Sequence, residues 1–140
     1  MAGTRRGDGH GDGRRVLLVE DDEAISELLL MVLQGMGLAV DVARNGRAAL
    51  ELADQHRPSL VVLDLGLPEM YGKTVALNLR SRYGDLPVMV ISALSSTTVA
   101  EDAWEMGAFT YITKPFELDA FTAAVQRGLT LSPSRRARPN

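Results

Sequence analysis

The chain has 140 residues, 46% hydrophobic and 24% charged, which suits one soluble globular domain. It contains no cysteine, so disulfides and thiolate metal sites are excluded. The formal net charge of −3 is unevenly spread: residues 1–15 carry +2 and residues 132–140 carry +3, leaving −8 on 16–131. An acidic body argues against a nucleic-acid surface on the folded part, because DNA binding rests on neutralising phosphates. No apolar run approaches the roughly 20 residues needed to cross a bilayer. Arg5 and Arg6 are not followed by an apolar segment, so the N-terminus does not read as a secretory signal, and the expected location is the cytoplasm.

The first segment, 1–14, is rich in glycine and arginine and reads as a flexible tail. Its run Gly7-Asp8-Gly9-His10-Gly11-Asp12-Gly13 fails as a dinucleotide fingerprint, because the third glycine falls out of place and no strand precedes it. Structure is expected over 15–131. Val16-Leu17-Leu18-Val19 is an apolar run that ends in Glu20-Asp21-Asp22-Glu23. Ile25, Leu28, Leu29, Val32, Leu33 and Met36 then recur at helical spacing, and Gly35 and Gly37 close that helix. Leu38 to Ala43 reads as a strand, and Asn45 can cap a second helix with Ala49, Leu50 and Ala53 on its apolar face.

The pattern repeats. Leu60-Val61-Val62-Leu63 ends in Asp64, Pro68 and Gly72 bound a loop, and Val75, Ala76 and Leu79 mark a helix. Val88-Met89-Val90-Ile91 ends in Ser92, and a helix covers roughly Thr97 to Met106. Tyr111 and Ile112 lie in a short last strand that runs into Lys114-Pro115. A final helix carries Leu118, Phe121, Val125 and Leu129, and 132–140 is a basic tail or linker. Five strands alternating with five helices predict an α/β fold with one parallel sheet covered on both faces.

The polar residues fall at the ends of these strands: Glu20 and Asp21, Asp64, Ser92 and Lys114. In an open parallel sheet those ends share one edge, where ligands bind at the reversal of strand order. Three carboxylates in one crevice need a cation, and a hard divalent ion such as magnesium suits oxygen donors. Such a site prepares one carboxylate to act as a nucleophile toward phosphorus, giving an acyl phosphate. A lysine and a hydroxyl would bind phosphoryl oxygens.

Val19-Glu20-Asp21-Asp22-Glu23, Leu63-Asp64-Leu65-Gly66-Leu67-Pro68, Val90-Ile91-Ser92-Ala93 and Tyr111-Ile112-Thr113-Lys114-Pro115-Phe116 resemble the response-regulator receiver domain of two-component signalling. The resemblance covers about residues 15–131, and its specificity lies in the order and intervals of the whole set. It implies a flavodoxin-like (βα)5 fold of strand order 2-1-3-4-5, with a cis bond between Lys114 and Pro115. It implies Asp64 as phosphoacceptor, with magnesium held by Asp21, Asp64 and the backbone carbonyl of Gly66, and by Glu20 mainly through water. Ser92 and Lys114 would bind the phosphoryl group, and Tyr111 would be the aromatic switch that follows Ser92. The implied phosphoryl donor is a sensor histidine kinase or histidine phosphotransfer protein docking near the first helix. An output partner, unnamed by the sequence, would sense the change, and a phosphorylation-dependent homodimer is one form such an output could take. The domain would bind no nucleic acid and no membrane. Phe109-Thr110 stand where many DNA-binding members carry acidic residues, which argues against their charge-paired dimer.

Each residue also has an ordinary reading. Asp22 and Glu23 suit the positive end of a helix dipole, as would Glu20 and Asp21 if Asp64 were not in register with them. Lys114 could be a surface lysine and Ser92 a turn cap. Tyr111 could simply pack, and Trp104 is expected in or half in the core. His10 and His56 have no partner at ligand spacing. Gly66 to Thr74 imitates a nucleotide-binding P-loop but has five residues between its glycines where four are needed, and Pro68 removes a backbone donor. Haloacid-dehalogenase-like phosphatases also form an aspartyl phosphate, but they carry a second Asp two positions after the nucleophile, and here that place is Gly66. The chain is therefore expected to be a signalling switch that catalyses only its own phosphorylation and slow dephosphorylation. A transcription factor would need a further domain, for which the residues after Leu131 are too few. Gly66 and Leu94 flank the site without a group to orient water, so a long-lived phosphoryl group is expected.

Overall fold

The computed structural model describes residues 14–66, 72–93 and 97–131, with the backbone alone for 97–100. Five strands alternate with five helices: β1 (Arg15–Val19), α1 (Glu23–Gly35), β2 (Ala39–Ala43), α2 (Gly46–Gln55), β3 (Leu60–Asp64), α3 (Gly72–Arg82), β4 (Val88–Ser92), α4 (Thr97–Glu105), β5 (Thr110–Thr113) and α5 (Leu118–Leu131). All four strand pairings are parallel, and the sheet order is β2-β1-β3-β4-β5. This is the flavodoxin-like order, and it reverses between β1 and β3, where the chain starts outward to β2 and returns to build the other half.

The strands without a polar face explain the layers. Successive side chains point to opposite sides of a sheet, so an all-apolar strand must be covered twice. Leu17, Val19, Val61, Leu63, Val88 and Val90 pack with Ala49 and Ala53 of α2, Val75 and Leu79 of α3, Ala103 of α4 and Met106 just after it. On the other face, Val16, Leu18, Leu60, Val62, Met89 and Ile91 pack with Leu29 and Leu33 of α1 and with Phe121, Val125 and Leu129 of α5. Full burial of a Val or Leu side chain is worth about 1.5–3 kcal/mol. These two cores hold the sheet edge that carries the polar residues.

The helix boundaries follow local chemistry. Asp22 caps α1, accepting the Ile25 N–H at 2.9 Å, and Asn45 caps α2, accepting the Ala48 N–H at 2.9 Å. Gly37, at φ 85°, lets the chain turn out of α1 in the left-handed region.

Trp104 departs from the sequence-based expectation. It is 65% exposed instead of in or half in the core, because Ala103 of α4 and Met106 just after it face inward. Leu28 also leaves the apolar stripe of α1 and is exposed. Phe109 is partly buried against the α1–α5 core, with the Arg127 guanidinium 5.6 Å from its ring centroid. His56 pairs with Asp41 at 3.3 Å, and Arg15 holds the other oxygen of that carboxylate at 3.1 Å. The expected tails, apart from Arg14, and also His10, Pro68 and Leu94, lie outside the described residues. No helix among the described residues is long and apolar enough to cross a membrane.

Candidate functional site

Register places the polar residues together. Val19 of β1 is level with Leu63 of β3, Asp64 with Ile91 of β4, and Ser92 with Thr113 of β5. One residue further along β1 brings Glu20 beside Asp64, and one residue beyond β5 brings Lys114 to the same edge. The Lys114 N–H donates to the Ser92 carbonyl at 2.7 Å, and the Lys114–Pro115 peptide bond is cis.

Glu20 is fully buried and Asp64 is 6% exposed, so neither acid sits at the surface as a solvated strand end. The Lys114 ammonium bridges them, 2.9 Å from Glu20 Oε1 and 3.2 Å from Asp64 Oδ2. Glu20 Oε2 accepts the Asp22 N–H at 3.1 Å, and Asp64 Oδ1 accepts the Gly66 N–H at 3.0 Å. Asp21 is exposed at the mouth, and one oxygen from each of Glu20, Asp21 and Asp64 lies within 4.8 Å of the others. Ser92 is buried at the end of β4. Gly66 is exposed in the turn after β3. Tyr111 is partly buried against the α2–α4 core, and its hydroxyl oxygen accepts from Thr113 Oγ1 at 3.4 Å.

Burial pushes the Glu20 carboxyl above the usual range, against the opposing effects of Lys114 and the Asp22 N–H. Burial alone would lower Lys114, but Glu20 and Asp64 outweigh it and hold the ammonium above the ordinary lysine range. One ammonium thus faces three carboxylates. Glu20 Oε1 is buried, with the Lys114 ammonium 2.9 Å away. A hard cation fits this oxygen-only donor set, in which one ammonium leaves part of the carboxylate charge uncompensated.

Gly66, which entered through the resemblance, lies in the turn after Asp64. Sequence reasoning brought Glu20, Asp21, Asp64, Ser92 and Lys114 to one edge, and all five lie there. It missed three supports: the Asp22 and Gly66 N–H groups, which hold the two buried carboxylates, and the close seat of Gly72. A Cβ on Gly72 would stand 2.7 Å from Leu65 Cα and 2.9 Å from the Asp64 carbonyl oxygen. The signal for Asp22 was its place before a helical stripe, which is that of a cap. Beside the acidic edge, an apolar cleft lined by Ile25, Leu28, Leu29, Phe116 and Leu118 reaches Lys114.

Fold and site define a doubly wound α/β domain with an acidic crevice at its switch point. The sequence matches the response regulator receiver domain over residues 16–126, and the chain belongs to that family of two-component signalling domains. It is 38% identical over 112 residues to the response regulator MprA of Mycolicibacterium vanbaalenii, a match that covers 80% of this chain and 48% of MprA. This chain thus spans about half the length of that relative. The response regulator TrrA of Thermotoga maritima, solved in complex with Mg2+ and BeF, is 32% identical with a TM-score of 0.75, covering 83% of this chain and 99% of that one. A CheY-like receiver domain of Methanospirillum hungatei shares the fold at a TM-score of 0.82 and 21% identity, covering 88% of this chain and 98% of that one.

Proposed function

We propose that this chain accepts a phosphoryl group from a phosphohistidine onto Asp64, in a magnesium-dependent reaction, and so changes its affinity for an output partner. The observation that carries this reading is the buried pair Glu20 and Asp64 bridged by Lys114, with Asp21 at the mouth. The receiver unit is 15–131, and its place of action is the cytoplasm.

Glu20, Asp21, Asp64 and the Gly66 carbonyl are the groups that would hold magnesium, Glu20 chiefly through water. The ion would offset the carboxylate charge and the charge that develops on phosphoryl oxygens. An Asp64 carboxylate oxygen attacks phosphorus; as the O–P bond forms, the P–N bond of the donor breaks and its electron pair leaves with the imidazole. Lys114 pairs with a phosphoryl oxygen, and Ser92 donates its hydroxyl hydrogen to another. The apolar cleft beside Lys114 is where the donor protein docks, which agrees with its position at the start of α1.

The switch is a population shift. Ser92 and the segment after it move toward the phosphoryl group, Tyr111 follows inward, and the face of α4, β5 and α5 changes its partner affinity. The donor is a sensor kinase or histidine phosphotransfer protein. The domain binds neither nucleic acid nor membrane itself, and a phosphorylation-dependent homodimer is one output open to it.

Intact mass after exposure to a small acyl-phosphate donor tests the reading. One phosphoryl group should be gained with magnesium, and none with a chelator or in Asp64→Asn. An unchanged mass in every arm would leave a receiver-shaped binding module that is not phosphorylated. Equal gain by Asp64→Asn would remove Asp64 as the acceptor.

A further inference from the structure

Asp22 follows the proposed ligand Asp21, yet its carboxylate is turned to another task. Its Oδ1 accepts the Ile25 N–H at 2.9 Å, and its carbonyl accepts the Ser26 N–H at 2.9 Å, so it caps α1 with an extended backbone at φ −76° and ψ 118°. The N–H of the same residue donates to Glu20 Oε2 at 3.1 Å. The Glu20 backbone is in turn tied to β2, its N–H donating to the Ala43 carbonyl at 2.9 Å.

A glutamate side chain has three rotatable bonds, and ordering it costs entropy that some contact must offset. Here Asp22 holds one oxygen while the other faces Lys114 at 2.9 Å. We infer that Asp22 is a positioning residue for the acidic crevice. Its carboxylate caps α1 and fixes its own backbone, which aims its N–H at Glu20 Oε2. That bond sets the rotation of the Glu20 carboxylate, and the fixed neighbours on either side place Asp21 at the mouth. Support of this kind behind a metal ligand governs affinity without touching the ion. The inference rests on the magnesium reading of the crevice given above.

A plain charge effect would also make Asp22 matter, since any nearby carboxylate attracts a cation. Asparagine separates the two, because it caps a helix about as well as aspartate but carries no charge. The experiment is a calorimetric titration of Mg2+ into the metal-free full chain, with the Tm of each variant recorded. Asp22→Ala should bind Mg2+ about tenfold more weakly, and Asp22→Asn should stay within about twofold of the wild type. In a Glu20→Gln background, Asp22→Ala should add little to the loss, because the group it positions is already altered. Should Asp22→Ala not fold, Asp22→Gly lacks the cap oxygen at little cost to the helix and replaces it.

Asp22→Asn binding as weakly as Asp22→Ala would overturn the inference in favour of charge. A lowered Tm for Asp22→Ala with unchanged affinity would overturn it in favour of a purely structural cap. Absence of Mg2+ binding by the wild type would overturn the magnesium reading and this inference together, whereas wild-type binding with an unaffected Asp22→Ala would overturn this inference alone.

Discussion

Lys114 and Asp64 stand fifty residues apart in the chain, yet Nζ of one lies 3.2 Å from Oδ2 of the other. The contact exists because β3 and β5 flank β4 in one parallel sheet and end at the same edge. The same ammonium holds Glu20, so it serves one fully buried acid and one that is only slightly exposed.

Removing that ammonium leaves two buried carboxylates without their common partner. Lys114→Gln should therefore destabilise the metal-free protein by about 2 kcal/mol at neutral pH, below the roughly 3–5 kcal/mol of a fully buried pair because Lys114 is partly exposed. Saturating Mg2+ should restore part of the loss. Urea unfolding with and without the ion measures both; equal stability of wild type and variant would show that the pairs contribute nothing to the fold.

Gly72 has no room for a methyl group, since the atoms in its way at 2.7 and 2.9 Å are backbone. Gly72→Ala should cost about 1–3 kcal/mol through the forced shift and should slow phosphorylation, because the displaced backbone is that of Asp64 and Leu65. Gly35 at the end of α1 has nothing within 4 Å of the same methyl, and Gly35→Ala should gain up to about 1 kcal/mol. Thermal unfolding of the two variants should give shifts of opposite sign, and a shared sign would contradict the account.

The three central strands were legible in the sequence because an apolar run with no polar face has only one comfortable place, the middle of a covered sheet. The site was legible because Glu20 and Asp21, Asp64 and Ser92 end such runs, and Lys114 follows the short last strand. What stayed hidden depends on register or helix rotation. His56 reaches Asp41 only because α2 returns beside β2, and no local spacing announces that. Trp104 is large and apolar, but a single aromatic does not set the face of a helix when Ala103 and Met106 fill the core. The Asp22–Glu20 bond links a backbone donor to a side chain two residues before it, a pairing no residue pattern encodes.

Just after α3, Tyr83 donates a hydrogen bond to Asp54 of α2, while Arg82 of α3 pairs with the other Asp54 oxygen at 2.8 Å. That bond holds the Asp54 carboxyl below its ordinary value of 3.8, so its stabilisation is present above 3.8 and is lost as pH falls through the folded value. It likewise holds Tyr83 above its ordinary 10.0, so this share is present below 10.0 and is lost as pH rises through the folded value. The Tm gap between wild type and Tyr83→Phe should be flat between these limits and shrink beyond either. A gap that grows on acidification would show that the hydroxyl acts through something other than Asp54.

Gly66 places no side chain over the acceptor: a Cβ there would lie 3.7 Å from Asp64 Oδ1. No group from this position can orient an attacking water, so the phosphoryl group should be long-lived. Timed intact-mass spectra after removal of the donor check this, and complete loss within seconds without a phosphatase would contradict it.

On the proposed function, Asp64 itself carries the phosphoryl group. Borohydride reduces an aspartyl phosphate to homoserine, so treatment of the donor-exposed protein followed by peptide mass analysis reads the acceptor directly. The account predicts homoserine at position 64, dependent on Mg2+ and abolished by a chelator. Homoserine at position 21 or elsewhere, with Asp64 unmodified, would contradict it.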